Sequence, residues 1–119
     1  MTTTRRFGLL QGIIVLAATA TALIHITLAF QFPGGVDPVF VLNGLGYLVL
    51  TALLFLPLPA LARYRNLVRW VLIGYTLVTV VAWYFIGVRS TIAYVDKAVE
   101  LVLIICLTLD WLLARKHGA

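Results

Sequence analysis

Four long apolar runs, separated by proline, glycine or basic residues, organise the chain. The first extends from about Phe7 to Phe30, and the breaker group Pro33-Gly34-Gly35 with Asp37-Pro38 predicts a tight turn after it. The second begins near Val39 and runs to about Leu56. Pro57 and Pro59 stop it there, because proline removes a backbone donor and clashes with the preceding turn. A basic loop with Arg63 and Arg65 follows. The third run covers about Leu67 to Ile86 and the fourth about Ala93 to Leu113, with Gly87 to Thr91 as the turn between them. Each is close to the roughly 20 residues that cross a hydrocarbon layer. Short turns make sequence neighbours pack antiparallel. The expected fold is therefore all-α: a single transmembrane domain over residues 1–119, an up-down-up-down four-helix bundle with spans at about 7–30, 39–56, 67–86 and 93–113.

Composition agrees with this pattern. Of 119 residues, 63% are hydrophobic and 11% charged, against roughly 45–50% and 25% in soluble domains. Four spans and their loops use nearly the whole length and leave no room for a soluble catalytic domain. The net charge of +5 does not point to nucleic acid, since the basic residues flank apolar runs instead of gathering on one face. Counted by loop, they orient the chain. Arg5 and Arg6, then Arg63, Arg65 and Arg69, then Arg115 and Lys116 fall on one side, while only Arg89 and Lys97 fall on the other. The positive-inside rule places the first side in the cytoplasm, so both termini are expected inside and the turns at 31–38 and 87–91 outside. A prokaryotic cytoplasmic membrane is the expected location. Arg5 and Arg6 with Ala18-Thr19-Ala20 imitate a cleavable signal peptide, but the apolar run continues to Phe30, so a retained first helix is expected. A single cysteine, Cys106, allows no internal disulfide.

The polar residues inside the runs carry what chemistry there is. In a bilayer, small residues and interhelical hydrogen bonds draw helices together. Gln11, Ala18, Ala22 and His25 share one helical stripe and should face the bundle. Asn43, Gly46 and Tyr47 make a comparable face on the second span, and Thr76, Thr79 and Trp83 on the third. Arg69-Trp70 and Trp83-Tyr84 are expected as interface anchors at the two ends of that third span. On the fourth span Asp96, Glu100 and Asp110 fall near one stripe, with Lys97 three residues before Glu100. Asp96 and Lys97 are expected at headgroup level and Asp110 near the cytoplasmic end, which leaves Glu100 as the deep acid. At about 1.5 Å per residue, His25 lies about 8 Å from the outer end of its helix, Asn43 about 6 Å, Tyr84 about 3 Å and Glu100 about 10 Å. His25, Asn43, Tyr47, Tyr84, Lys97 and Glu100 thus form the candidate ligand or proton site, in the outer half. The same residues also suit a purely structural network, with Glu100 bonded to Lys97 or His25 and each bond worth about 1–2 kcal/mol at best.

Catalytic signatures are missing: no phosphate-binding glycine loop, HExxH helix, CxxC pair or GxSxG elbow is present. No catalytic residue and no enzyme activity are expected. One histidine with one or two carboxylates is a thin zinc set, so no metal is expected. No cofactor is expected either. His117 falls beyond the opposite face from His25, so two-histidine haem ligation within one chain is excluded, and a haem or chlorophyll on His25 alone is the residual alternative.

His25 late in the first span, Asn43-Gly44-Leu45-Gly46-Tyr47 in the second and Trp83-Tyr84 ending the third resemble small four-span prokaryotic membrane proteins of uncharacterised function. That resemblance implies a four-helix fold and no particular activity. The leading expectation is a structural or accessory subunit of a membrane assembly or homo-oligomer, whose partners are the lipid bilayer and other membrane subunits. The alternatives are transport or sensing of a proton, cation or small molecule through the outward polar cluster, and a cofactor-binding protein with one ligand.

Overall fold

The computed structural model describes residues 7–116, and these are all-helical, with no strand among them. Arg5, Arg6 and His117, used above to orient the chain and to weigh haem, lie outside the described residues. Helix α1 covers Leu9–Ala29, α2 Pro38–Phe55, α3 Pro59–Ala62, α4 Arg65–Ile86 and α5 Thr91–Lys116.

The boundaries follow from local chemistry. Gly35 takes φ +112° in the turn after α1, a conformation that glycine adopts without a Cβ penalty. Asp37 then caps α2 by accepting from the Val39 N–H at 2.9 Å, with Pro38 at the first helical position, where a missing N–H costs nothing. Pro57 ends α2 as expected. The structure adds the short α3 within the basic loop, where Pro59 again occupies a first turn. Arg65 ties this corner down, donating to the Leu54 and Leu56 carbonyls at 3.1 and 3.0 Å.

The long helices form a ring in which α1 packs on α2 and α5, and α4 packs on α2 and α5. The result is an elongated body of 55 × 23 × 21 Å. Helices α1, α2 and α4 are each long and apolar enough to cross a membrane. At 26 residues α5 is long enough too, but it carries Asp96, Lys97, Glu100 and Asp110. The central layer is built from Ile14, Ala18, Leu54, Leu72, Leu103 and Leu107, all fully buried.

Helices α1 and α2 approach closely at Gly44. A Cβ there would sit 2.7 Å from the Ala22 carbonyl oxygen and 2.7 Å from Ile26 Cγ1. Glycine is required because backbone blocks the space, and a backbone oxygen cannot step aside as a side chain can. Gly44→Ala is therefore expected to lose about 1–3 kcal/mol by overpacking. Thermal unfolding in mild detergent checks this, with Gly74→Ala, whose Cβ meets open space, as the control.

One sequence expectation is corrected by the packing. Arg69 is no interface anchor: it is 2% exposed and turned into the bundle. Asp96 and Lys97, expected near the helix end, are also turned inward, at 2% and 7% exposure. Periodicity on α5 alone could not decide this, because depth along one helix says nothing about the face that its neighbours cover.

Candidate functional site

The end of the bundle that holds the α1–α2 and α4–α5 turns carries one continuous chain of polar contacts across three helices. From α1, the Thr21 hydroxyl donates to Asp96 Oδ1 at 2.5 Å, and His25 Nε2 lies 3.6 Å from Asp96 Oδ2. His25 Nδ1 is held 2.8 Å from the Thr21 carbonyl oxygen, one turn earlier on the same helix. From α2, the Tyr47 hydroxyl donates to Glu100 Oε2 at 2.5 Å. On α5 itself, Lys97 Nζ lies between the acids, 3.2 Å from Asp96 Oδ2 and donating to Glu100 Oε1 at 2.5 Å. Glu100 and Tyr47 are fully buried and His25 is 5% exposed. Four-residue spacing on α1 (Thr21, His25) and on α5 (Asp96, Glu100) puts each pair on one face, which is how two helices build the site between them.

Aromatic rings flank the network. Phe40 and Tyr47 flank the His25 imidazole at 5.7 and 6.0 Å between ring centres. The Trp83 ring at the end of α4 has its centre 5.9 Å from Lys97 Nζ and 4.2 Å from the Arg89 guanidinium.

The sequence-predicted residues separate into two groups. His25, Tyr47, Lys97 and Glu100 meet in this network. Asn43 stands apart, with Nδ2 donating to Thr79 at 3.2 Å and its backbone carbonyl accepting from Tyr75 at 2.6 Å, while its side-chain oxygen is buried without a partner. Tyr84 is not part of the site: it is 63% exposed and its ring packs on Phe85. Rotation explains the error. Trp83 and Tyr84 differ by about 100° around the helix axis, and Trp83 is the one turned towards Lys97. Two members were missed, Asp96 and Thr21. The available signal was their four-residue spacing from Glu100 and His25.

One ligand atom each from His25, Asp96 and Glu100 lie within 4.8 Å of one another, a spacing suited to a metal ion. Every one of these groups is committed, however, and the Lys97 ammonium supplies the positive charge that an ion would bring. The set is a network of ammonium and hydroxyl bonds, and a metal would have to displace a lysine to enter it. Nor does His25 suit a haem or chlorophyll, because its ring nitrogens face Thr21 and Asp96 and the adjoining space is filled by Phe40 and Tyr47.

A second network lies towards the other end. Arg69 Nε donates to Asp110 Oδ2 at 2.9 Å, Gln11 donates to Asp110 Oδ1 at 2.8 Å, and Arg69 Nη1 donates to Asn66 at 2.6 Å. It joins α1, α4 and α5, and among the described residues it pairs one cation, Arg69, with one anion, Asp110.

Fold and sites together define a protein that is all-helical over the described residues, with three helices long and apolar enough to cross a membrane and with ionisable side chains bonded inside the helix ring. The chain belongs to a family of unknown function, DUF7475, which matches residues 2–111. No curated protein and no solved structure matches it.

Proposed function

We propose that this is a four-span integral membrane protein, with α5 as the fourth span and both ends cytoplasmic, acting as a structural or accessory subunit in a homo-oligomer or larger membrane assembly. One observation carries the reading: the four charged side chains of α5 within the bundle turn inward and are bonded, while its outer surface presents Tyr94, Val95, Leu101, Val102, Ile105 and Leu109. A helix so arranged offers lipid an apolar face despite its charges, because intramembrane ions face protein. The two networks then act as fasteners between helices, and what is left for partners is the apolar exterior. A groove of about 370 Å³ between α1 and α5, lined by Ala17, Ala20, Ala98 and Val102 among others, has the small side chains that let another helix approach.

Native mass spectrometry from mild detergent, with an absorption spectrum of the same sample, tests this reading. A defined oligomer or a co-purifying membrane subunit is expected, with no visible band. A monomer that alone transports a solute or catalyses a reaction overturns it.

Sensing or transport of a proton or cation is the second reading, favoured by the unequal charge of the outer network, which has two carboxylates to one lysine. If it transports, flux in reconstituted vesicles will vanish on Glu100→Gln and His25→Ala.

A further inference from the structure

We infer that the outer network binds one exchangeable proton in addition to the one carried by Lys97, and that this proton comes and goes from the outer face only. The inference deepens the second reading above and rests on the four-span topology.

The argument begins with charge. The groups facing one another are His25 with Thr21 on α1, Tyr47 on α2, Asp96, Lys97 and Glu100 on α5, and Tyr75 with the ring of Trp83 on α4. With a neutral imidazole, two carboxylates and one ammonium leave the set at −1. Two mutually close carboxylates inside a bundle cannot both remain ionised cheaply with one counter-ion between them, since an uncompensated buried charge is costly. One added proton, shared among Asp96, Glu100 and His25, makes the set neutral.

The path follows from packing. The ten residues from Glu100 to Asp110 rise about 15 Å, and the layer between them holds Ile14, Leu72, Leu103 and Leu107 at zero exposure. Among the described residues, no carboxylate, imidazole, ammonium or guanidinium group lies in that layer. A proton moving inward therefore meets no ionised group to receive it, and passes beside the uncharged Thr51 hydroxyl and Cys106 thiol. Outward, Trp83 and Phe40 cover the network, and the Lys97 and His25 side chains keep a trace of exposure, 9% and 6%. The geometry is that of a sensor of the outer medium: a proton on Asp96 or Glu100 weakens the acceptors that hold Thr21 or Tyr47, so occupancy acts on the α1–α5 and α2–α5 contacts.

Glu100 is the only glutamate in the chain, so labelling glutamate with ¹³C at the carboxyl carbon gives a single signal. In full-length protein reconstituted in nanodiscs, that signal is expected to move as pH is varied, with one proton exchanged per chain in the same transition. Asp96→Asn, which leaves Lys97 and Glu100 as a balanced pair, should abolish that proton, and Lys97→Met should raise the count to two. In vesicles of one orientation, changing the outer pH alone should shift the signal, and changing the inner pH alone should not. A Glu100 signal fixed at one position across the range in which the protein stays folded overturns the inference, and so does a response to the inner pH. The signal is read on the unaltered protein, so the test survives if a variant fails to fold. Failure here leaves the structural reading standing, whereas a soluble protein that does not insert removes the topology beneath both.

Discussion

Asp110→Leu is expected to cost about 3–5 kcal/mol, the loss typical when one partner of a buried ion pair is removed. Arg69 is 2% exposed and directs its Nε at Asp110, so the substitution leaves a guanidinium inside the bundle without its countercharge, and Gln11 loses its acceptor at the same step. Removing both charges is a different matter. The double variant Arg69→Met, Asp110→Leu replaces the pair by apolar groups of similar length and should recover most of the loss, because a buried pair repays little more than its own desolvation. Thermal or detergent-titrated unfolding of the single and double variants measures both. Equal losses in the two would show that the charges matter less than the packing of their side chains.

Lys97→Met is the second large effect, again about 3–5 kcal/mol. Here the sign depends on pH. The variant leaves Asp96 and Glu100 with no ammonium between them, so repulsion and lost hydrogen bonds act together at high pH. As pH falls, a proton on either carboxylate removes the repulsion, and part of the stability returns. The loss should therefore shrink on acidification, whereas the Asp110→Leu loss should not, because protons cannot neutralise an arginine. A Lys97→Met loss independent of pH would mean that the two carboxylates never carry two charges together.

Much of the helical layout was legible from apolar runs and breakers. Pro57, Asp37-Pro38 and the Pro33-Gly34-Gly35 turn act locally, and the helix ends fall within a few residues of the expected positions. The lateral arrangement was less so. The stripe of Ala18, Ala22 and His25 on α1 does face the bundle, since small residues there leave few other roles. On α5 charges and apolar residues intermix, so the sequence shows where Asp96, Lys97 and Asp110 stand along the axis but not that α1 and α4 bring Thr21, Gln11 and Arg69 to meet them. Arg69 illustrates the limit: an arginine near a helix end reads as an anchor, and only a carboxylate some forty residues away reveals that it is a buried partner. The short α3 was invisible for another reason, because Pro57 and Pro59 read as breakers while proline is also the best opening residue of a helix.

The aromatic placement has an optical consequence. Trp70 and Trp111 meet edge to face at 5.1 Å near one end of the bundle, while Trp83 is at the other, beside Tyr94, Arg89 and Lys97. With three tryptophans in the chain, Trp83→Phe leaves tryptophan fluorescence from one end only, and Trp70→Phe with Trp111→Phe leaves it from the opposite end. Each end of the bundle thus carries its own intrinsic emitter, one beside the Lys97 network and one at the end that holds Arg69 and Asp110, and no dye need be attached to tell them apart.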